Sequence, residues 1–115
     1  MIFNQGDIVD VDFDPTRGHE PAKVRPALVV SSFDFNRATS MTIVCPITSN
    51  TKPFFLHEVL PQDCVVQGCV VMEQARAIDL DARHAEYLGS LDHDALRPIL
   101  ICIQSFFKMD EVDEG

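Results

Sequence analysis

Three cations stand close together early in this chain. Arg17, Lys23 and Arg25 fall within the polar, glycine- and proline-marked stretch Pro15–Pro26, between two apolar runs. A guanidinium is a planar fork that grips two oxygens of one phosphate. The next apolar run ends on two hydroxyls, Thr48 and Ser49, which can add hydrogen bonds to the same group. Further on, Gln74 and Arg76 form a third polar pair within an apolar run. Histidine titrates near neutrality, so His19 and His57 could form an acid–base couple. A lone loop histidine is, however, more often simply exposed.

These residues need strands to bring them together. Arg25 precedes Pro26, and proline suits the first residue of a strand because its φ is fixed and it donates no ladder bond. The reading is therefore strands over Gly6–Phe13, Val24–Ser31 and Met41–Thr48, with Arg25 and Thr48 at strand ends. Phe33–Ser40 reads as a polar loop. Pro53–Pro61 and Gly68–Ala77 read as further strands, Asp79–Glu86 as a helical turn and Tyr87–Gly89 as a short strand. Apolar residues then recur at helical spacing at Leu96, Ile99, Leu100, Ile103, Phe106 and Phe107. Ser90 or Asp92 would cap that helix, and Pro98 would either start it or kink it. The pattern predicts one mainly β domain over residues 1–115 with a C-terminal helix, its acidic tail 109–115 frayed.

Composition sets bounds. A chain of 115 residues with 46% hydrophobic content can bury one core without staples. No apolar run approaches the roughly 18 residues of a membrane helix, and the N-terminus has no signal-peptide pattern. The four cysteines, Cys45, Cys64, Cys69 and Cys102, form no CxxC pair and lack histidines at ligand spacing. They read as reduced thiols in a cytoplasmic core, and no metal or cofactor is expected. The formal net charge of −9 opposes binding to nucleic acid, which favours a basic surface. Its distribution softens the objection. Residues 1–57 carry six acids and five bases, whereas residues 58–115 carry twelve and four.

The blocks Gly6–Val9, Asp12–Pro15, Gly18–Glu20, Arg25–Val29, Cys45–Ser49 and Gly68–Arg76, in this order and spacing, resemble the MazF/PemK toxins. The resemblance covers roughly residues 6–105. It implies a small SH3-like barrel of curled antiparallel strands, a homodimer, and an mRNA-cleaving toxin held by a cognate antitoxin. It implies Arg25 and Thr48 as the catalytic pair. Glu20 matches the family's loop glutamate and would hold the loop or orient Arg25, while Gly18 would serve the turn. Arg17, His19, Lys23, Ser49, Gln74 and Arg76 are the candidates to line an RNA groove.

The chemistry is consistent with these residue types. A ribose 2′-hydroxyl can attack its own phosphate if positive charge meets the developing phosphorane and protons can move at both oxygens. Arginine fits the first task; its very high pKa makes it an awkward base. The sequence also departs from the family. Asp10, Pro21, Val24, Met72 and Glu73 differ from the residues common there, leaving the stretch Gly18–Val24 stiffer and less basic. An acidic toxin would call for an antitoxin segment more basic than usual. The competing expectation is a non-nuclease protein that binds a protein target, as gyrase-poisoning relatives of the fold do.

Overall fold

The computed structural model describes residues 1–13 and 24–112. Its elements run β1 (Asp7–Asp12), β2 (Val24–Val29), α1 (Phe33–Thr39), β3 (Thr42–Thr48), β4 (His57–Val59), β5 (Cys69–Val71), a single 3-10 turn (Met72–Gln74), β6 (Arg76–Ile78), β7 (Glu86–Ser90) and α2 (His93–Ser105). The seven strands make one antiparallel sheet in the order β4-β5-β3-β2-β1-β7, with β6 also on β3. The sheet is curled and barrel-like but does not close.

β3 is the hub. One of its edges pairs with β2 along Val44–Pro46. The other edge is shared: Thr48 pairs with Cys69 on β5, and Val44 pairs with Arg76 on β6. Four steps along β3 thus correspond to seven steps along the partner segment. Three residues have left the ladder, and they are the 3-10 turn Met72–Gln74. The continuous strand expected over Gly68–Ala77 is therefore two strands on a common partner. The break lets the sheet bend and turns Glu73 and Gln74 outward, both exposed.

Strand alternation divides the core in two. Ile8, Leu28, Cys45, Ile47 and Val70 face one side, where Leu96 and Ile99 of α2 cover them. Val9, Val11, Ala27, Val29 and Val44 face the other, closed by Phe3, Ile78 and Leu80. Ile8, Leu28 and Ile99 are fully buried, and each such side chain contributes about 1.5–3 kcal/mol.

Several expectations are corrected. Residues 33–39 form a helix rather than a loop. Ser32 caps it by accepting from the Phe35 N–H at 3.2 Å, and Ser40 ends it in the left-handed conformation at φ 58°. The apolar pattern could not show this helix, because its buried residue is Asn36. The Asn36 amide donates to the Phe3 carbonyl at 2.9 Å and its carbonyl oxygen accepts from the Ser31 hydroxyl. The strand expected over Pro53–Pro61 shrinks to His57–Val59, and the helical turn over Asp79–Glu86 is a series of turns. Asp92 holds the N-cap position of α2 without a side-chain bond; its carbonyl accepts from Ala95 and Leu96 instead. Pro98 lies inside α2. Phe106 and Phe107 fall beyond the helix end and are exposed.

Candidate functional site

A cleft of about 450 Å³ opens at one end of β2 and β3. Its first wall comes from the ladder. Ala27 pairs with Pro46, and continuing that register by two residues sets Arg25 across from Thr48. Directly opposed residues in an antiparallel pair point to the same face. That face is the one that buries Ala27, Val29 and Val44. Arg25 and Thr48 hang from its open end, where the apolar cluster stops, and both line the cleft.

The Thr48 hydroxyl is oriented by its own loop. Its oxygen accepts the Asn50 N–H at 3.2 Å, which leaves its O–H to donate outward. The Thr48 carbonyl is fixed from behind by Gly68. Gly68 holds φ +132°, and a Cβ there would lie 2.2 Å from the Thr48 oxygen. Only glycine fits that approach. The spacing of Thr48 and Gly68 in the sequence thus reflects a physical contact.

The second wall is built without a ladder. After Thr48 the chain turns again, the Asn50 side-chain oxygen accepting the Lys52 N–H at 3.1 Å. Pro53 and Phe54 follow along the rim. His57 Nε2 meets Glu73 Oε1 at 2.9 Å, across from the 3-10 turn. The His57 and Phe54 rings meet in a T-shaped contact, centroids 4.9 Å apart. Gln74 completes this wall.

Beneath the floor lies Cys45. Burial, with the charge of Glu73 adding to it, pushes its thiol up to about 12. It is a protonated, unreactive core residue at neutral pH.

Of the residues singled out from the sequence, Arg25, Thr48 and Gln74 line one cleft. Ser49 is exposed beside them. Arg76 does not line the cleft: its guanidinium sits 5.3 Å over the Phe13 ring, past the end of β1. There Arg83 also donates to the Phe13 carbonyl at 2.6 Å. Arg17, Gly18, His19, Glu20 and Lys23 lie outside the described residues. The cleft adds Asn50, Lys52, Phe54 and Glu73, which the sequence reading passed over as a loop and a strand. A lysine two residues past a turn asparagine was the available signal. His57 is present, but its partner is Glu73. Among the described residues no group of three or more His, Cys, Asp or Glu side chains could hold a metal ion, and no helix is long and apolar enough to cross a membrane.

The cleft thus offers two cations, Arg25 and Lys52, an outward hydroxyl and a histidine–carboxylate pair. The two cations and the hydroxyl can hold a phosphodiester and stabilise added negative charge on it.

The sequence model described as "PemK-like, MazF-like toxin of type II toxin-antitoxin system" matches residues 4–107. The endoribonuclease toxin ChpB of Escherichia coli K12 is 38% identical over 108 residues, covering 90% of this chain and 92% of ChpB. The endoribonuclease toxin MazF of the same strain is 37% identical over 98 residues, covering 85% of this chain and 87% of MazF. A chain of the MazE-MazF crystal structure from Deinococcus radiodurans superposes with a TM-score of 0.85 at 32% identity, over 96% of this chain and 99% of that one.

Proposed function

The chain belongs to the PemK-like, MazF-like family of type II toxins, and on that premise we propose that it is a metal-independent endoribonuclease cutting single-stranded mRNA. One observation carries the reading: Arg25 and Thr48, 23 positions apart in the sequence, share one face of adjoining strands and line one cleft. In the proposed step the ribose 2′-oxygen bonds to phosphorus as the bond from phosphorus to the 5′-oxygen breaks. The 2′-oxygen loses a proton and the 5′-oxygen gains one. The products are a 2′,3′-cyclic phosphate and a 5′-hydroxyl. Arg25 grips the non-bridging oxygens and stabilises the extra charge of the phosphorane; the Thr48 O–H donates to the same phosphate. Single strands are the substrate because their bases can be splayed into a surface cleft.

Gln74 and Lys52 border the path of the strand, with Ser49 beside it. Arg17, Gly18, His19, Glu20 and Lys23 are proposed to complete the groove, and Arg76 to reach RNA only outside the cleft. The whole chain, 1–115, works as one such domain, as a homodimer in the cytoplasm where its mRNA lies. A cognate antitoxin holds it. The relatives support that partnership, since one structural match is a MazE-MazF crystal structure. The relatives lend no support to the reading as a non-nuclease poison of a protein target.

The test is cleavage of a long single-stranded RNA in excess EDTA, with the new ends mapped. Arg25→Ala should lower the rate roughly 10²–10³-fold, and Thr48→Ala roughly 10- to 100-fold. Cuts that persist in both variants would remove this pair from the chemistry. Absence of cutting by the native protein would remove the nuclease.

A further inference from the structure

The cleft rim carries two aromatic rings that the core does not use. Phe55 is 82% exposed and Phe54 45% exposed. Both sit in the connection between β3 and β4, directly after Lys52 and Pro53. Leaving two adjacent phenylalanines in water is unfavourable unless something covers them.

These rings are held in place. Glu73 bonds His57 at 2.9 Å, the His57 and Phe54 rings meet in a T-shaped contact at 4.9 Å, and Phe54 meets Phe55 at 5.0 Å with an interplanar angle of 52°. Pro53 stiffens the approach, and the Asn50 turn fixes its start. The chain of contacts runs from the cleft floor to the exposed ring. Phe54 itself lines the cleft that Arg25, Thr48 and Lys52 share.

We propose that Phe54 and Phe55 form a shelf on which a base of the bound RNA stacks, next to the phosphate held by Arg25. The inference rests on the nuclease reading above. A lysine followed by exposed rings is the combination that single-stranded nucleic acid requires: charge for the backbone, a flat apolar face for the base. The occupant is a nucleobase because the shelf is continuous with a cleft that carries the cations Arg25 and Lys52. His57 and Glu73 are positioning residues for the shelf, acting through Phe54.

The experiment uses the full-length protein and RNA whose cut site has been mapped in EDTA. A matching oligonucleotide carries a 2′-deoxy sugar at the cut, so that it binds without a nucleophile. 2-Aminopurine, whose fluorescence falls on stacking, replaces single bases flanking the cut. The native protein and Phe55→Tyr should quench it at one flanking position. Phe55→Ala and Phe55→Leu should lose that quenching, and their kcat/KM should fall roughly 5- to 100-fold. His57→Ala should weaken quenching and raise KM while kcat is kept. Phe55→Ala cutting at the native rate and pattern would overturn the shelf while leaving the nuclease intact. Full rescue by Phe55→Leu would overturn it too, by making the contact merely apolar. So would a change of oligomeric state in sedimentation, which would assign the ring to an interface between chains. Failure of the native protein to cut would overturn both readings.

Discussion

The two walls of the cleft are built by different means. Arg25 and Thr48 stand on ladder positions, where each backbone is bonded to neighbouring strands and the register fixes which side chains face each other. Asn50, Lys52, Phe54, Glu73 and Gln74 stand on turns, tied by the bonds of Asn50 to Thr48, Lys52 to Asn50 and His57 to Glu73. The ladder wall cannot shift without breaking the sheet. The turn wall can be re-cut by changing single residues. Groups that must meet a reacting phosphate belong on the first kind of wall, and groups that choose which base lies beside it belong on the second. Glu73 joins the two, since its charge is felt by Cys45 under the ladder and its oxygen binds His57 on the turn side.

The largest effect should come from Gly68→Val, which breaks the ladder wall from behind. Its side chain would meet the Thr48 carbonyl at a φ that L residues rarely adopt. Destabilisation of about 4 kcal/mol or more is expected, measured by chemical denaturation. A stable variant would mean that Gly68 does not fix Thr48.

Next comes the chemistry of the fork. Arg25→Lys keeps the charge but not the planar pair of donors. It should recover only part of what Arg25→Ala loses in the cleavage assay. Full recovery would reduce the role of Arg25 to that of a point charge.

The thiol beneath the floor gives a pH test. The folded Cys45 titrates near 12, above its ordinary value of 9.0. Above 9 the unfolded chain releases this proton and the folded chain does not. The stability from this group is therefore complete below about pH 9 and falls by about 1.4 kcal/mol per pH unit up to 12. Cys45→Ala should remove that share of the slope, read as unfolding free energies at pH 8 and 10.5. Glu73→Gln should leave that slope intact but end the fall at a lower pH, because one cause of the shift is gone. A fall that ends at the same pH in Glu73→Gln as in the native protein would uncouple the two walls.

The smallest effect belongs to the turn wall. Asn50→Ala removes the acceptor for the Lys52 N–H and should cost about 1 kcal/mol or less in stability, while activity on RNA falls several-fold. A loss as large as that of Arg25→Ala would place this turn within the chemistry and erase the distinction between the walls.

Much of the ladder wall could be read from residues alone. The β-branched runs mark β2 and β3 and place Arg25 and Thr48 near strand ends, although Pro26 is the third residue of β2 rather than its first. The second wall could not be read so, because its elements carry no period. Phe33–Thr39, which is not part of either wall, likewise hides its helix behind a buried asparagine. Glu73 and Gln74 look like strand positions until three residues leave the ladder. His57 and Glu73 are 16 positions apart, with nothing local to link them.

Local chemistry, read from the sequence by itself, determined which residue types suit a phosphate, where the long strands lie and that the last element is a helix. Those features depend on side-chain period, φ restriction and charge, all of which act over a few residues. Register and the broken strand on β3 were decided only by the tertiary structure. They set Arg25 opposite Thr48, bring His57 to Glu73 and press Gly68 against the Thr48 carbonyl. Contacts of that kind depend on how a curled sheet closes over its core, and no short stretch of sequence contains that information.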